Sequence, residues 1–191
     1  GGTDATGTTT ISDGNWHHIA AVRQNGVASL YVDGVLEASQ NNTGTATING
    51  DLTIGNFNGG YFFPGSLDEV RIWDRALCKG EILNNKNAEL ASSQTGLVAY
   101  YKFNQGVDNS NNSTVITLTD LSVNANNGTL NNFALSGSTS NWFAPGAVTS
   151  GSAAPTYTPV SASISSQVNV LCNGYSNGSF DLTPSGGTAP Y

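Results

Sequence analysis

Apolar and polar side chains alternate along Trp16–Arg23, with Trp16, His18, Ala20 and Val22 on one side and His17, Ile19 and Ala21 on the other. Successive strand residues point to opposite faces of a sheet, so this run predicts a strand. Both of its faces are largely apolar, which predicts cover on both sides, as in the middle of a sandwich. Asp13-Gly14-Asn15 supplies a turn ahead of it, and the Thr-rich run 4–12 predicts an edge strand. Asn25-Gly26 then reverses the chain, because both positions of a two-residue hairpin turn need positive φ and these residue types tolerate it. The return strand places Ala28, Leu30 and Val32 inward and Ser29, Tyr31 and Asp33 outward, and Asp33-Gly34 turns again into Val35-Leu36-Glu37. The pattern predicts a three-stranded meander.

Beyond a polar loop, Gln40 to Gly44, strands are expected at Thr45–Ile48 and Leu52–Gly55, joined by Asn49-Gly50. A loop from Asn56 to Pro64 holds Phe57, Tyr61, Phe62 and Phe63 among glycines, and Gly65–Trp73 predicts another strand. There Asp68 shares parity with Val70 and Ile72, so a carboxylate opens the face that should point inward. A buried charge is costly unless it is paired, hydrogen-bonded or bound to a cation. One helix is expected, Lys79 to Leu90, with Cys78 at the capping position and Glu81 three residues on, as in a capping box. Gly96–Phe103 is apolar on both faces and predicts a buried strand, and short strands are expected at Val115–Thr119 and Gly128–Leu130. The run Pro145–Pro159, rich in Pro, Ser, Ala, Gly and Thr, is the expected linker. After it, Gln167–Leu171 and Gly178–Thr183 predict strands of a small β unit that ends without a closing strand.

Composition narrows this picture. Of 191 residues, 38% are hydrophobic and only 10% charged, and 23 are glycine, which fits an all-β chain with many turns. Three Trp, seven Tyr and seven Phe supply a core that a disordered chain would lack. A net charge of −7, with six Lys and Arg scattered along the chain, argues against binding a phosphate backbone. No apolar run approaches membrane-spanning length. Cys78 and Cys172 fall in different modules, and the linker between them argues against, without excluding, a disulfide joining the two. The absence of Met and the opening Gly1-Gly2-Thr3 lead to the expectation of a segment from a longer chain, and the acidic, Lys-poor balance leans towards a secreted or surface protein.

Four blocks carry a resemblance. Asp13–Val22, Leu30–Gly34, Leu52–Gly55 and Gly65–Leu77, in this order and spacing, resemble the laminin-G-like (concanavalin-A-like) jelly-roll family over about residues 4–90. The resemblance implies an antiparallel jelly-roll sandwich, here without the family's first strands. Gly96–Asn104, Asp120-Leu121-Ser122 and Asn126–Leu130 resemble the segment that flanks such domains. Val170–Gly174, Asn177-Gly178-Ser179 and Ser185–Tyr191 resemble the start of an SprB-type repeat, a module of large surface adhesins in gliding Bacteroidetes. That resemblance implies an extracellular, modular protein, either a type-IX-secreted adhesin or a cell-wall-associated protein. It also implies a partner for Cys172 near the repeat end that this chain does not contain. The expected division is therefore a jelly roll at 1–94, a flanking β segment at 95–146, a linker at 147–160 and a truncated SprB-type repeat at 161–191.

The residues that could carry chemistry are few. His17 and His18 are neighbours on a strand and diverge, so they cannot chelate one ion together and are read as structural. Asp68 and Glu69 diverge likewise, which removes them as the facing carboxylate pair of glycoside hydrolysis. Jelly rolls of the resembled family often hold Ca²⁺, a cation that takes carboxylate and carbonyl oxygens. On that implication Asp68 is the first metal candidate, with hydrogen bonding to loop backbone as the competing role. Asp120, with Asn124 and Asn126 at alternate spacing, is the second, against a solvated turn. For sugar binding, an aromatic platform beside polar groups is required, and the loop around Asn58 and Tyr61 has that composition. Phe62 and Phe63 are expected to plug the end of the sandwich, and Trp16 and Trp73 to lie in the core. Together these imply a non-catalytic extracellular recognition module of an adhesin that binds carbohydrate or a cell-surface protein, with calcium as cofactor. The alternatives are a structural spacer and an accessory domain of a carbohydrate-active enzyme.

Overall fold

The Asn25-Gly26 reversal organises the first sheet. In the computed structural model, which describes residues 4–44, 50–57, 59–91, 94–153, 161–168 and 179–185, Asn25 and Gly26 have φ of 49° and 74°. They join β1 (Ile19–Gln24) to β2 (Val27–Val32), and Asp33 and Gly34, with φ of 52° and 83°, join β2 to β3 (Val35–Asn41). The order is β1-β2-β3, with a register shift between Leu30 and Tyr31 that gives β3 one extra residue. The predicted meander is present. Its first strand is an edge, however, and Ile19 and Ala21 are exposed, so cover on both faces is not what the described residues provide. Trp16 lies ahead of the strand and is 42% exposed, which corrects its placement in the core.

Outside this sheet, turns and loops make up most of the described residues of 1–154, and the other strands form small antiparallel pairs. They are β4 (Asn56–Phe57) with β5 (Tyr61–Phe62), β6 (Val70–Trp73) with β7 (Leu97–Tyr101), and β8 (Thr117–Leu118) with β9 (Gly128–Thr129). Among the described residues the fold is all-β apart from α1 (Lys79–Asn85), whose start Glu81 secures by accepting the Cys78 backbone N–H at 2.8 Å. Glu81 is itself held by Arg75 at 2.7 Å. The helix stops short of the predicted Leu90, and residues 88–91 instead run extended against the segment near Ser152, where Glu89 donates its backbone N–H at 2.8 Å. No helix among the described residues is long and apolar enough to cross a membrane.

The β6–β7 pair is the centre of the core. Leu90, Leu97 and Tyr100 cluster on one side with Trp73 against them, as expected for that Trp. Ala99, Tyr101 and Leu118 cluster on the other, under Ile54, Val70, Ile72 and Trp142. Residues 1–154 form one compact unit, so the 94/95 division drawn from the sequence falls inside it, and so does the described part of the expected linker, where Val148 is buried. Residues 155–191 form a second unit, in which β10 (Ser161–Val168) pairs antiparallel with β11 (Ser179–Ser185). Thr45–Ile48, Asn58 and Cys172 lie outside the described residues. Cys78 is an exposed free thiol.

Candidate functional site

The loop predicted at 56–64 is a tight hairpin. Gly55 and Gly59 take φ of 79° and 69°, a conformation that costs glycine nothing. Asn56 Oδ1 accepts the Gly59 N–H at 2.8 Å, and Phe63 N–H closes the hairpin on Gly55 O at 2.9 Å. Phe57 and Tyr61 sit opposite one another across β4 and β5 with ring centroids 6.2 Å apart and planes tilted by 46°. Tyr61 is 75% exposed, and Phe57, Phe62 and Phe63 are also exposed. That corrects the expectation that Phe62 and Phe63 plug the sandwich end. Behind the rings an open groove of about 430 Å³ is lined by the hairpin together with Ile54, Pro64 and Leu67. Of the two predicted contact residues, Tyr61 is therefore on an accessible aromatic platform.

Asp120 is 5% exposed rather than in a solvated turn. Its Oδ1 accepts the backbone N–H groups of Tyr100 and Ser122, both at 2.8 Å, and its Oδ2 accepts Ser122 Oγ at 2.8 Å and the Asn126 N–H at 2.7 Å. Burial pushes this carboxyl up, but these donors outweigh it and hold it below the usual carboxylate range. Four donors occupy the four acceptor positions of a carboxylate, so a cation would meet hydrogens, not lone pairs. Asn124 and Asn126 turn their amide nitrogens to the Val98 carbonyl, at 2.9 and 3.0 Å. Asp120 thus pins the 120–126 turn to β7.

Asp68 is half-buried and its Oδ2 accepts the Val148 N–H at 3.1 Å, the loop-backbone role set against metal binding above. No group of three or more His, Cys, Asp or Glu side chains among the described residues is placed to hold a metal ion. Calcium takes six to eight oxygens. Asp120, with its acceptor positions filled, does not fit it, and among the described residues Asp68 belongs to no such group of side chains.

The buried carboxylate next to Asp68 is Glu69. A left-handed φ of 53° at Glu69 interrupts the strand just before Val70, and the period-2 parity that placed Asp68 inward fails there. Glu69 Oε2 pairs with Arg71 Nη2 at 2.6 Å, and both side chains are 8% exposed. Arg71 also donates to the Asn85 carbonyl at 2.7 Å and to that of Ala88, and its guanidinium lies 5.4 Å from the Tyr100 ring centroid. Burial, and then the bond to Glu69, raise the Tyr100 phenol well above its ordinary value. This network closes the end of α1 over β6 and β7. It is a structural staple that strand parity could not reveal.

The two histidines diverge as expected. His17 reaches Asp33 through Nδ1 at 2.8 Å and Asp13 through Nε2 at 3.1 Å. His18 turns inward, where burial first and then Arg71 hold its imidazole below the ordinary value. Its Nδ1 is buried without a hydrogen-bond partner.

No curated protein matches the chain. Among solved structures, an S-layer domain-containing protein (residues 221–444) from Clostridium thermocellum is similar, with 21% identity and a TM-score of 0.30. The match covers 40% of this chain and 42% of that one, so the chain spans about two fifths of its length. Residues 1–83 match the family model of the concanavalin A-like lectin/glucanases superfamily (Laminin_G_3), and residues 164–191 match that of the SprB repeat, so the two resemblances read from the sequence are both met, in the order in which they were read.

Proposed function

We propose that this chain is a non-catalytic recognition segment of a cell-surface protein, and that the hairpin of Phe57 and Tyr61 is its contact surface for carbohydrate. The observation that carries this reading is four adjacent aromatic side chains left exposed at the rim of an open groove. Exposing that much aromatic surface forgoes burial worth about 1.5–3 kcal/mol for each large side chain, and such patches mark interaction sites. A tilted aromatic pair offers its ring faces to the C–H face of a pyranose, and the Tyr61 hydroxyl adds a hydrogen-bonding tip. Among the described residues no charged side chain lines the groove, which favours a neutral sugar over an anionic one.

The carboxylates support the non-catalytic reading. Glu69 is bound to Arg71 and Tyr100, and Asp120 accepts four donors, so neither is free to move a proton on a substrate. The match of residues 1–83 to the concanavalin A-like superfamily and of 164–191 to the SprB repeat supports a surface setting in which many weak contacts add by multivalency. The groove's apolar lining by Ile54, Pro64 and Leu67 favours one second reading, in which the rings dock on an apolar patch of a surface protein.

A glycan array probed with the full chain and with Tyr61→Ala tests this. Binding of neutral glycans that the variant loses supports it. An array without a hit, or hits that Tyr61→Ala keeps, sinks the glycan reading. A chelator arm should leave binding unchanged, since among the described residues no carboxylate lines the groove and Asp120 is saturated by donors.

A further inference from the structure

His17 stands between two carboxylates that come from different turns. Nδ1 lies 2.8 Å from Asp33 Oδ2 in the β2–β3 turn, and Nε2 lies 3.1 Å from Asp13 Oδ1 in the turn ahead of β1. An ionised carboxylate only accepts hydrogen bonds, and a neutral imidazole has one N–H and one bare lone pair. Whichever tautomer a neutral His17 took, one of its two contacts would set a lone pair against an oxygen. Only the imidazolium donates to both. We propose that Asp13, His17 and Asp33 form a proton-operated clasp, which ties the 13–15 turn to the β2–β3 turn while the ring is charged and opens when the ring loses a proton.

The surroundings make the ring the part that switches. Asp13 is held in place by the backbone N–H and the side-chain amide of Asn15, both at 2.9 Å. Asp33 is held by the His18 N–H at 2.9 Å, and Lys86 beyond the end of α1 favours its ionised form. The β2–β3 turn is braced on α1, where Gly34 lies against the Leu83 side chain. His18, the next titratable group, has Arg71, Lys86 and Asp33 among its charged surroundings, but it meets Asp33 through its backbone, and its ring Nδ1 makes no hydrogen bond. The groups facing His17 are thus two anions. The bonds to Asp33 and then Asp13 raise its imidazole above the ordinary 6.5, against a smaller lowering by burial. Because the folded value is the raised one, the clasp is complete below pH 6.5 and is lost as pH climbs through the higher, folded value.

Opening would release the turn at 13–15 and the exposed Trp16 that follows it, while the β2–β3 turn keeps its contact with Leu83 of α1. The clasp would therefore act on one edge of the sheet and not on the whole fold.

The test is an NMR titration of the full chain, following the two ring nitrogens of His17 and the hydrogen-exchange protection of the 14–16 amides, corrected for intrinsic pH dependence. The expected result is a doubly protonated ring below pH 6.5, titrating above that value. Protection at 14–16 should fall by about tenfold through the same midpoint. Asp13→Asn and Asp33→Asn should each lower that midpoint, and His17→Gln should leave protection low and flat with pH. A ring that titrates at or below its ordinary value overturns the clasp, as does protection at 14–16 that ignores the His17 midpoint. Asp13 is exposed, so Asp13→Asn keeps the test decisive even where His17→Gln does not fold.

Discussion

The Tyr100 hydroxyl donates to Glu69 Oε2 at 2.6 Å across thirty-one residues of sequence, and the same hydroxyl oxygen accepts the Leu90 N–H at 2.9 Å. One fully buried phenol thereby joins three segments. It also explains how a carboxylate and a guanidinium, each nearly sealed from solvent, are tolerated beside the core. Buried charges persist only where partners and hydrogen bonds offset their desolvation.

Removing one member of this pair should therefore cost more than its neighbour in sequence would suggest. Glu69→Ala leaves Arg71 buried without its counter-ion, a loss of about 3–5 kcal/mol. Asp68→Ala removes one hydrogen bond to Val148, a loss of about 1 kcal/mol. Strand parity predicts the reverse order. Chemical denaturation of the two variants checks it, and a larger loss for Asp68→Ala would contradict the Glu69 assignment.

Gly34 should resist substitution for two separable reasons. It has φ of 83°, and a Cβ added to it would collide with Leu83 Cδ2 on α1. The left-handed conformation alone costs an L-residue about 1–2 kcal/mol. Gly34→Ala should be destabilised beyond that, and adding Leu83→Ala should recover the steric part only. A thermal-melt double-mutant cycle reads the difference. Full additivity of the two losses would place Leu83 away from the turn.

Segment 4–12 should come away from the sheet in acid. Glu37 Oε2 accepts Thr8 N, Thr8 Oγ1 and Thr9 N at 2.7, 2.9 and 3.1 Å, and Oε1 accepts Thr9 Oγ1 at 2.7 Å. These bonds, the Thr9 hydroxyl first, pull the Glu37 carboxyl down to about 2 from an ordinary 4.5. A lowered value in the folded state means that the tether is complete above pH 4.5 and is lost as pH falls towards 2. Hydrogen exchange at Thr8 and Thr9 should rise over that window relative to its intrinsic rate, and Glu37→Gln should show the rise already at neutral pH. Protection that stays constant down to pH 2 would refute the tether.

Tyr61→Ala and Phe57→Ala should separate binding from stability. Both side chains are exposed, and substitutions at such positions change stability by about 0.5 kcal/mol or less. Under the proposed function each should nevertheless lose glycan binding. A fall in melting temperature without any loss of binding would move these rings from contact surface to scaffold.

The sequence by itself determined what local chemistry controls. Asn25-Gly26 and Asp33-Gly34 announced the meander, because positive φ at adjacent positions admits few residue types. The apolar run at Leu97–Tyr101 announced the central strand, and the spacing from Cys78 to Glu81 announced the helix start. The aromatic and glycine composition of the 57–63 loop was legible, but which of its rings stand exposed was not, and Phe62 and Phe63 went against expectation. The two family resemblances were legible from block order.

Tertiary structure decided which polar groups are buried. Period-2 parity assumes an unbroken strand, and a single left-handed residue at Glu69 moved the buried charge one position along. Asp120 could not be assigned from spacing, because the donors that saturate it come from Tyr100, Ser122 and Asn126, brought together only when β7 meets the 120–126 turn. Glu37 and the Asp13–His17–Asp33 clasp depend in the same way on contacts between turns and strands apart in sequence. Side-chain pattern encodes period and turn type. The partner of a carboxylate is set by which backbone N–H groups the finished fold leaves pointing at it, and that is a property of the packing alone.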